Sequence, residues 1–136
     1  MKKYKVGLFP MCGDLLHAGH ILALKEAKEQ CEHLIVAVNT HPEGKQPVQS
    51  VYERCVQIAA VRYVNEVIPY QGRRDMEAIA SCLDYNVRFI GTDYSFKDWD
   101  GKKQEEERRI ESYFIGRDHG YSSTELKARV IANHEK

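Results

Sequence analysis

Five mainly apolar segments alternate with amphipathic segments along this chain. Apolar runs of four to six residues predict strands, and they are Tyr4–Phe9, Leu34–Val38, Glu66–Tyr70, Val87–Ile90 and Glu111–Ile115. Between them, apolar residues recur three and four positions apart, which predicts helices over Ala18–Gln30, after Ser50, around Met76 and over Ser122–Asn133. The strongly charged segment Ser95–Arg109 predicts a surface loop that runs into a short solvated helix.

Alternation of this kind predicts an α/β fold with one doubly wound, parallel, five-stranded sheet and helices on both faces. We expect a single domain over residues 1–136. In such sheets, ligands bind at the carboxyl ends of the strands, near the point where the strand order reverses. Most of the unusual polar residues fall in loops at that edge, at 11–20, 39–49, 92–98 and 116–123.

The amino-acid composition limits which classes of partner we expect this protein to bind. Twenty basic and twenty acidic side chains cancel, so no overall field attracts nucleic acid or an anionic membrane, and we expect neither as a partner. The four cysteines form no CxxC pair, and Cys31, Cys55 and Cys82 fall in segments predicted to be helical. No stretch approaches the roughly 18 apolar residues of a membrane span. These features favour a reduced, cytoplasmic setting.

Two histidines follow the first strand in the segment Asp14-Leu15-Leu16-His17-Ala18-Gly19-His20. At the start of a helix, both imidazoles can face an anion lying over the first N–H groups, and Gly19 lets a phosphate approach the backbone. Arg117 after the fifth strand and Ser122-Ser123 before the last helix predict a second phosphate-binding corner. Alternatively, Ser122-x-x-Glu125 is only a capping box.

The segment DLLHAGH resembles the HxGH signature of the nucleotidyltransferase superfamily, and the resemblance extends along most of the chain. It continues through LIVAVNT and Glu53-Arg54. Arg62–Val67 is similar to the RYVDEV motif of CTP-using members, and Arg117–Ser123 is similar to the RTEGIST signature. This set most resembles the glycerol-3-phosphate branch of the cytidylyltransferase family, which has a Rossmann-like sheet.

The resemblance implies a role for each matching residue. It implies Mg²⁺-dependent transfer of a cytidylyl group from CTP to a small phosphorylated alcohol, with glycerol 3-phosphate as the default acceptor, in a homodimer. Asp14 and Arg54 would face the acceptor, and Asp14 is also the candidate metal ligand. The implied catalytic residues are His17, His20, Lys45 and Arg117, and the implied nucleotide-binding residues are Cys12, Gly13, Gly19, Arg62, Asp93, Gly120, Tyr121, Ser122 and Ser123. Arg54 and Arg62, eight residues apart on one helical pattern, would lie on nearly the same side.

The sequence departs from the family pattern at several positions, and two other functions stay open. Met11-Cys12-Gly13 replaces the usual Gly-Thr-Phe or Gly-Cys-Phe, Asn65 replaces the aspartate of RYVDEV, and Tyr121 and Ser123 alter RTEGIST. DLLHAGH and LIVAVN also resemble ADP-heptose enzymes, so an adenylyltransferase acting on a sugar phosphate with ATP is one alternative. A nucleotide-binding module without catalysis is the other. The segment Lys97–Arg109 is either a solvated face or a lid that selects the acceptor.

Overall fold

A computed structural model describes residues 2–91, 98–116 and 121–135 of the chain. Its five strands form one parallel sheet in the order β3-β2-β1-β4-β5. The strands are β1 (Tyr4–Met11), β2 (Cys31–Asn39), β3 (Glu66–Tyr70), β4 (Val87–Gly91) and β5 (Glu111–Ile115). The predicted five-stranded parallel sheet is confirmed.

Five helices connect the strands or follow the last one. They are α1 (Ala18–Gln30), α2 (Val51–Ala59), α3 (Gly72–Cys82), α4 (Lys102–Glu107) and α5 (Ser123–His134). Successive residues of β1 point to opposite faces of the sheet and belong to two different hydrophobic clusters. Phe9 lies in one cluster with Leu24 of α1 and Ile58 of α2, whereas Leu8 lies in the other with Met76 of α3. The helices therefore cover both faces of the sheet, as predicted.

The first two strands are longer than the apolar pattern predicts. β1 continues through Pro10 to Met11, because its pairing with β2 runs to Met11↔Val38 while its pairing with β4 covers only Gly7 and Leu8. Pro10 therefore lies beyond the part of β1 that is bonded to β4, where its missing N–H group is tolerated. β2 begins at Cys31, which is buried opposite Tyr4, so the prediction of a helical Cys31 is wrong.

The charged segment before β5 contains the predicted short helix, with exposed side chains at Lys103, Glu106 and Glu107, but one of its glutamates is buried. Glu105 of α4 is only 2% exposed. Its carboxylate accepts hydrogen bonds from the hydroxyl of Tyr85 (2.6 Å), Nη1 of Arg88 (3.0 Å) and Nε1 of Trp99 (3.0 Å). The sequence does not predict this buried network, because helical spacing alone does not show which of the three consecutive glutamates at 105–107 points inward.

The strand order reverses between β1 and β4, next to the loop that carries the two histidines. From β1 the chain moves outward to β2 and β3, then returns across the sheet to β4 and β5. The loop after β1 therefore lies at the crevice where ligands bind in sheets of this type. Among the described helices, none is both long and apolar enough to cross a lipid bilayer.

Candidate active site

His17 and His20 form a reciprocal cap at the start of α1. Nδ1 of His17 accepts a hydrogen bond from the Gly19 amide (3.0 Å), and Nδ1 of His20 accepts one from the His17 amide (3.2 Å). The two ring centroids are 4.0 Å apart. This arrangement satisfies two of the N–H groups that a helix start leaves without intrahelical partners, with imidazoles in place of the usual Ser and Glu.

The cap also fixes the tautomers of the two rings. A neutral imidazole that accepts at Nδ1 carries its proton on Nε2, so Nε2 is the donating nitrogen of each ring. Burial, followed by the nearby His17, lowers the pKa of His20 to about 4. His20 is therefore a neutral hydrogen-bond donor at physiological pH, which suits stabilisation of charge that develops on a phosphoryl oxygen.

Two glycines allow close approaches around this loop. A Cβ on Gly19 would lie 2.7 Å from Cε1 of His17 and 3.0 Å from the carbonyl oxygen of Tyr121, which precedes α5. Gly13 has a φ of +70°, and a Cβ there would lie 2.4 Å from Cδ1 of Ile58 on α2. The unusual glycine at position 13 is thus matched by Ile58, which fills the space beside it.

Asp14 joins the histidine loop to the segment before α2. Its two carboxylate oxygens accept hydrogen bonds from the amides of Val48 and Gln49, each at 2.9 Å, and the Leu15 amide donates to Oε1 of Gln49 at 2.7 Å. Burial opposes ionisation of Asp14, but the two amides and the charges of Lys127 and Arg54 together lower its pKa. Asp14 is therefore an ionised carboxylate whose position is fixed by backbone groups.

The start of α5 lies against the same loop. The hydroxyl of Ser123 donates to the carbonyl oxygen of Asp14 at 3.4 Å, and the hydroxyl of Ser122 accepts from the Glu125 amide as the N-cap. Ser122 is thus a helix cap at the corner where the sequence predicted phosphate binding. Tyr121 precedes it with its side chain exposed.

Two lysines approach the site from different loops and helices. Lys45 lies in the exposed loop after β2, and its charge contributes to the lowered pKa of His20. Lys127 lies one helical turn after Ser123, and its charge contributes to the lowered pKa of Asp14. Sequence reasoning missed Lys127, although its spacing of four residues from Ser123 would have placed it on the same face of α5.

The structure does not bring Arg62 to the histidines. α2 ends at Ala59, so the prediction that Arg54 and Arg62 share one helix is wrong. Arg62 lies in the turn before β3, at the amino ends of the strands, where its guanidinium stacks on Tyr63 with 5.0 Å to the ring centroid. Asn65 lies at the same edge and accepts from Lys28 and from the Leu34 amide, so its replacement of aspartate has a structural role there.

Arg54 is buried beneath the site, and its contacts are with the protein backbone. Only 1% of this residue is exposed. Its guanidinium donates to the carbonyl oxygens of Cys12, Asn39, Thr40 and Gln49. Cys12 thus meets Arg54 through its carbonyl group, and its Sγ lies 3.8 Å from Nη1 of the same arginine.

Three predicted site residues, Asp93, Arg117 and Gly120, lie outside the described residues. The part of the chain that the structure does describe contains no group of three or more His, Cys, Asp or Glu side chains that could hold a metal ion. Asp14 retains acceptor positions beyond its two backbone hydrogen bonds, because a carboxylate has about four. Its donor chemistry therefore fits a hydrated Mg²⁺ held mainly by phosphates.

Comparison with known proteins identifies the relatives of this chain. Residues 8–129 match the cytidylyltransferase-like family. Glycerol-3-phosphate cytidylyltransferase of Staphylococcus aureus is 30% identical over 127 residues, which cover 90% of this chain and 92% of that protein. The bifunctional protein HldE of Granulibacter bethesdensis is 35% identical over 109 residues, which cover 72% of this chain but only 22% of HldE.

A solved structure supports the fold. The lipopolysaccharide core biosynthesis protein of Thermoplasma volcanium superposes with a TM-score of 0.73 at 21% identity, over 88% of this chain and 99% of that one. At that identity, the likeness concerns the fold alone. It agrees with the α/β Rossmann-like architecture of the described strands and helices.

Proposed function

Because the chain belongs to the cytidylyltransferase-like family of nucleotidyltransferases, we propose that it transfers a cytidylyl group from CTP to a small phosphorylated alcohol. The products are a CDP-linked alcohol and pyrophosphate. Glycerol 3-phosphate is the default acceptor, because the Staphylococcus aureus relative bears that name and aligns along 92% of its length.

The observation that carries this proposal is the reciprocal cap of His17 and His20. It holds two imidazoles side by side at the start of α1, with ring centroids 4.0 Å apart and each Nδ1 occupied by a backbone amide, which leaves Nε2 of each ring as the nitrogen that can donate. A phosphoryl transfer needs little covalent help from the protein and depends on positioning and charge stabilisation. Paired donors at a helix start beside the strand-order reversal provide both.

In the proposed reaction, a phosphate oxygen of the acceptor attacks the α-phosphorus of CTP in line. The new P–O bond forms as the bond between the α-phosphorus and the bridging oxygen of the β-phosphate breaks, and pyrophosphate leaves with that electron pair. His17 and His20 donate hydrogen bonds to oxygens that gain negative charge. Lys45 and Arg117 neutralise the phosphates, and no covalent intermediate on the protein is needed.

We propose that a divalent cation such as Mg²⁺ assists this reaction. Bound to the phosphates, it would supply additional charge neutralisation, and Asp14 would hold it through coordinated water. The low pKa of Asp14 keeps the carboxylate ionised for that role.

A homodimer is a further proposal from the resemblance, and sedimentation equilibrium of the purified protein would test it.

CTP and ATP are the two candidate nucleotides. Arg62 favoured CTP over ATP at the level of sequence, but its position at the amino ends of the strands separates it from the histidines of the same chain. The resemblance of DLLHAGH and LIVAVN to ADP-heptose enzymes keeps a reaction of ATP with a sugar phosphate as the second candidate. The shared segment DLLHAGH does not discriminate between them.

A pyrophosphate-release assay tests the proposal. CTP and ATP are each combined with glycerol 3-phosphate, phosphocholine, phosphoethanolamine, ribitol 5-phosphate and a panel of sugar phosphates. Release with CTP and a phosphorylated alcohol supports the proposal, and a preference for ATP with a sugar phosphate supports the second candidate. Calorimetric binding of CTP without pyrophosphate from any acceptor would indicate a nucleotide-binding module without catalysis.

A further inference from the structure

We propose that Arg54 is a positioning residue that fixes the histidine loop against the Lys45 loop, and that it does not itself grip the acceptor. We define the histidine loop as residues 12–17 and the Lys45 loop as residues 39–49. This inference rests on the proposed function for its kinetic consequences. Its structural consequence, coupling of the two loops, can be tested without any substrate.

The hydrogen bonds of Arg54 connect three parts of the chain. Nη1 donates to the carbonyl oxygen of Cys12 at 2.9 Å, which is the start of the histidine loop, and to that of Asn39 at 2.7 Å. Nη2 donates to Thr40 at 3.1 Å, and Nε donates to Gln49 at 3.3 Å. Four of the five N–H groups of the guanidinium are thus bonded to backbone carbonyls at the ends of β1 and β2 and at the start of α2.

Burial leaves little opportunity for this side chain to contact a substrate. Arg54 is 1% exposed, and within the described residues it forms no ion pair within 4.0 Å. Four carbonyl dipoles solvate its charge instead. A buried charge is costly unless it is well hydrogen bonded, so substitution of Arg54 releases carbonyls from both loops at once.

Three amides report whether the loops stay together. The amides of Val48 and Gln49 donate to Asp14, and the Leu15 amide donates to Gln49, so each of these bonds spans the two loops. Arg54 bonds backbone atoms on both sides of this contact. If Arg54 positions the loops, its loss opens all three bonds together, and Lys45 moves relative to the histidines.

Hydrogen exchange of the substrate-free protein tests the coupling. Arg54→Lys keeps the positive charge but cannot reach four carbonyls from one ammonium group. We expect the amides of Leu15, Val48 and Gln49 to exchange at least about 10-fold faster in this variant, because local opening becomes easier. The matched control is Arg108→Lys, since Arg108 also donates to two carbonyls, of Ala80 at 2.7 Å and Leu83 at 2.9 Å, at the opposite edge of the sheet. The control should leave the three amides unchanged.

Kinetics separates positioning from acceptor binding. With positioning, Arg54→Lys lowers kcat by roughly 10- to 100-fold, the scale of a misplaced reacting geometry, while the KM for the acceptor stays within about 3-fold of wild type. Normal exchange and kcat with an acceptor KM raised 10-fold or more would overturn the proposal. If the wild type releases no pyrophosphate, the proposed function fails, while the exchange experiment still decides the role of Arg54.

The wild-type protein provides a second test if Arg54→Lys does not fold. Exchange is measured in increasing sub-denaturing concentrations of urea, where amides that open together converge on one free energy of opening. The amides of Leu15, Val48 and Gln49 should converge with that of Arg54, which donates to the Ser50 carbonyl in the first turn of α2. Separate opening of the histidine loop and α2 would overturn the proposal.

Discussion

Two buried arginines of this protein have different kinds of partner. Arg88 on β4, 6% exposed, forms an ion pair with Glu105 at 3.0 Å, and Tyr85 and Trp99 donate to the same carboxylate. Arg54, 1% exposed, is bonded to neutral carbonyls. The charge of Arg88 is therefore paired with a carboxylate in direct contact, whereas the charge of Arg54 acts at a longer distance on the ionised Asp14 at the carboxyl edge of the sheet.

The difference fits the chemistry of each region. Close to the proposed triphosphate site, an arginine without a carboxylate in ion-pair contact would add to the attraction for an anionic substrate. Around Glu105, the ion pair with Arg88 and the hydrogen bonds from Tyr85 and Trp99 hold α4 against the sheet. Burial and the hydrogen bond to Glu105 raise the pKa of Tyr85, so its hydroxyl remains a donor in that network.

Removal of Glu105 should have the largest effect on stability. Glu105→Ala leaves the Arg88 charge buried and unpaired, so we expect a loss of about 3–5 kcal/mol in the free energy of unfolding, measured by urea denaturation. Glu106→Ala, at an exposed position on the same helix, should stay within about 0.5 kcal/mol of wild type. A loss below about 1 kcal/mol for Glu105→Ala would mean that the Arg88 charge is not stabilised by this carboxylate.

The histidine pair should have the largest effect on turnover. His17→Ala and His20→Ala should each lower kcat by roughly 10²–10³-fold in the pyrophosphate assay, the effect of one lost charge-stabilising donor. His17→Asn separates catalysis from capping, because asparagine is a good N-cap and should preserve the helix start while turnover still falls. Near-normal turnover in a folded alanine variant would remove that histidine from the mechanism.

The low pKa of His20 predicts how stability changes with pH. In the unfolded chain the ring takes up a proton near its ordinary pKa of 6.5, whereas in the folded protein it does so only near 4. Between these values the unfolded state binds more protons, so the contribution of His20 is complete above about pH 6.5 and decreases as the pH falls towards 4. The total change is roughly 3 kcal/mol.

Urea denaturation of the wild type and of His20→Asn between pH 4 and 7 measures this contribution. The variant lacks the titrating ring, so the difference in stability between the two proteins should shrink as the pH falls. A difference that is independent of pH in this range would show that His20 is not held neutral by the fold.

The smallest effect is expected at Gly19. A methyl group there overlaps the His17 ring and the Tyr121 carbonyl, so Gly19→Ala should lower kcat/KM by about 10-fold and stability by about 1–2 kcal/mol. The helical preference for alanine over glycine, about 1 kcal/mol, offsets part of the loss in stability. Unchanged kcat/KM would mean that the ring and the start of α5 move apart without consequence for the site.

The sequence by itself determined the order of strands and helices and the location of the histidine pair. Apolar runs and helical spacing are local properties, and α1 begins and ends where its pattern predicts. His17, Gly19 and His20 build their cap from atoms within four residues of one another, so their motif already contains their geometry.

Only the tertiary structure decided the roles of Arg54, Arg62 and Glu105. Arg54 bonds carbonyls up to 42 residues away, and Glu105 meets Arg88 across 17 residues, so neither environment is encoded in local spacing. Because α2 ends at Ala59, Arg62 lies at the amino ends of the strands, away from the histidines of the same chain. The apolar periodicity of the sequence did not predict this position. Whether a charged side chain faces solvent, a substrate or the backbone depends on packing between distant segments, and for these three residues that packing fixed the outcome.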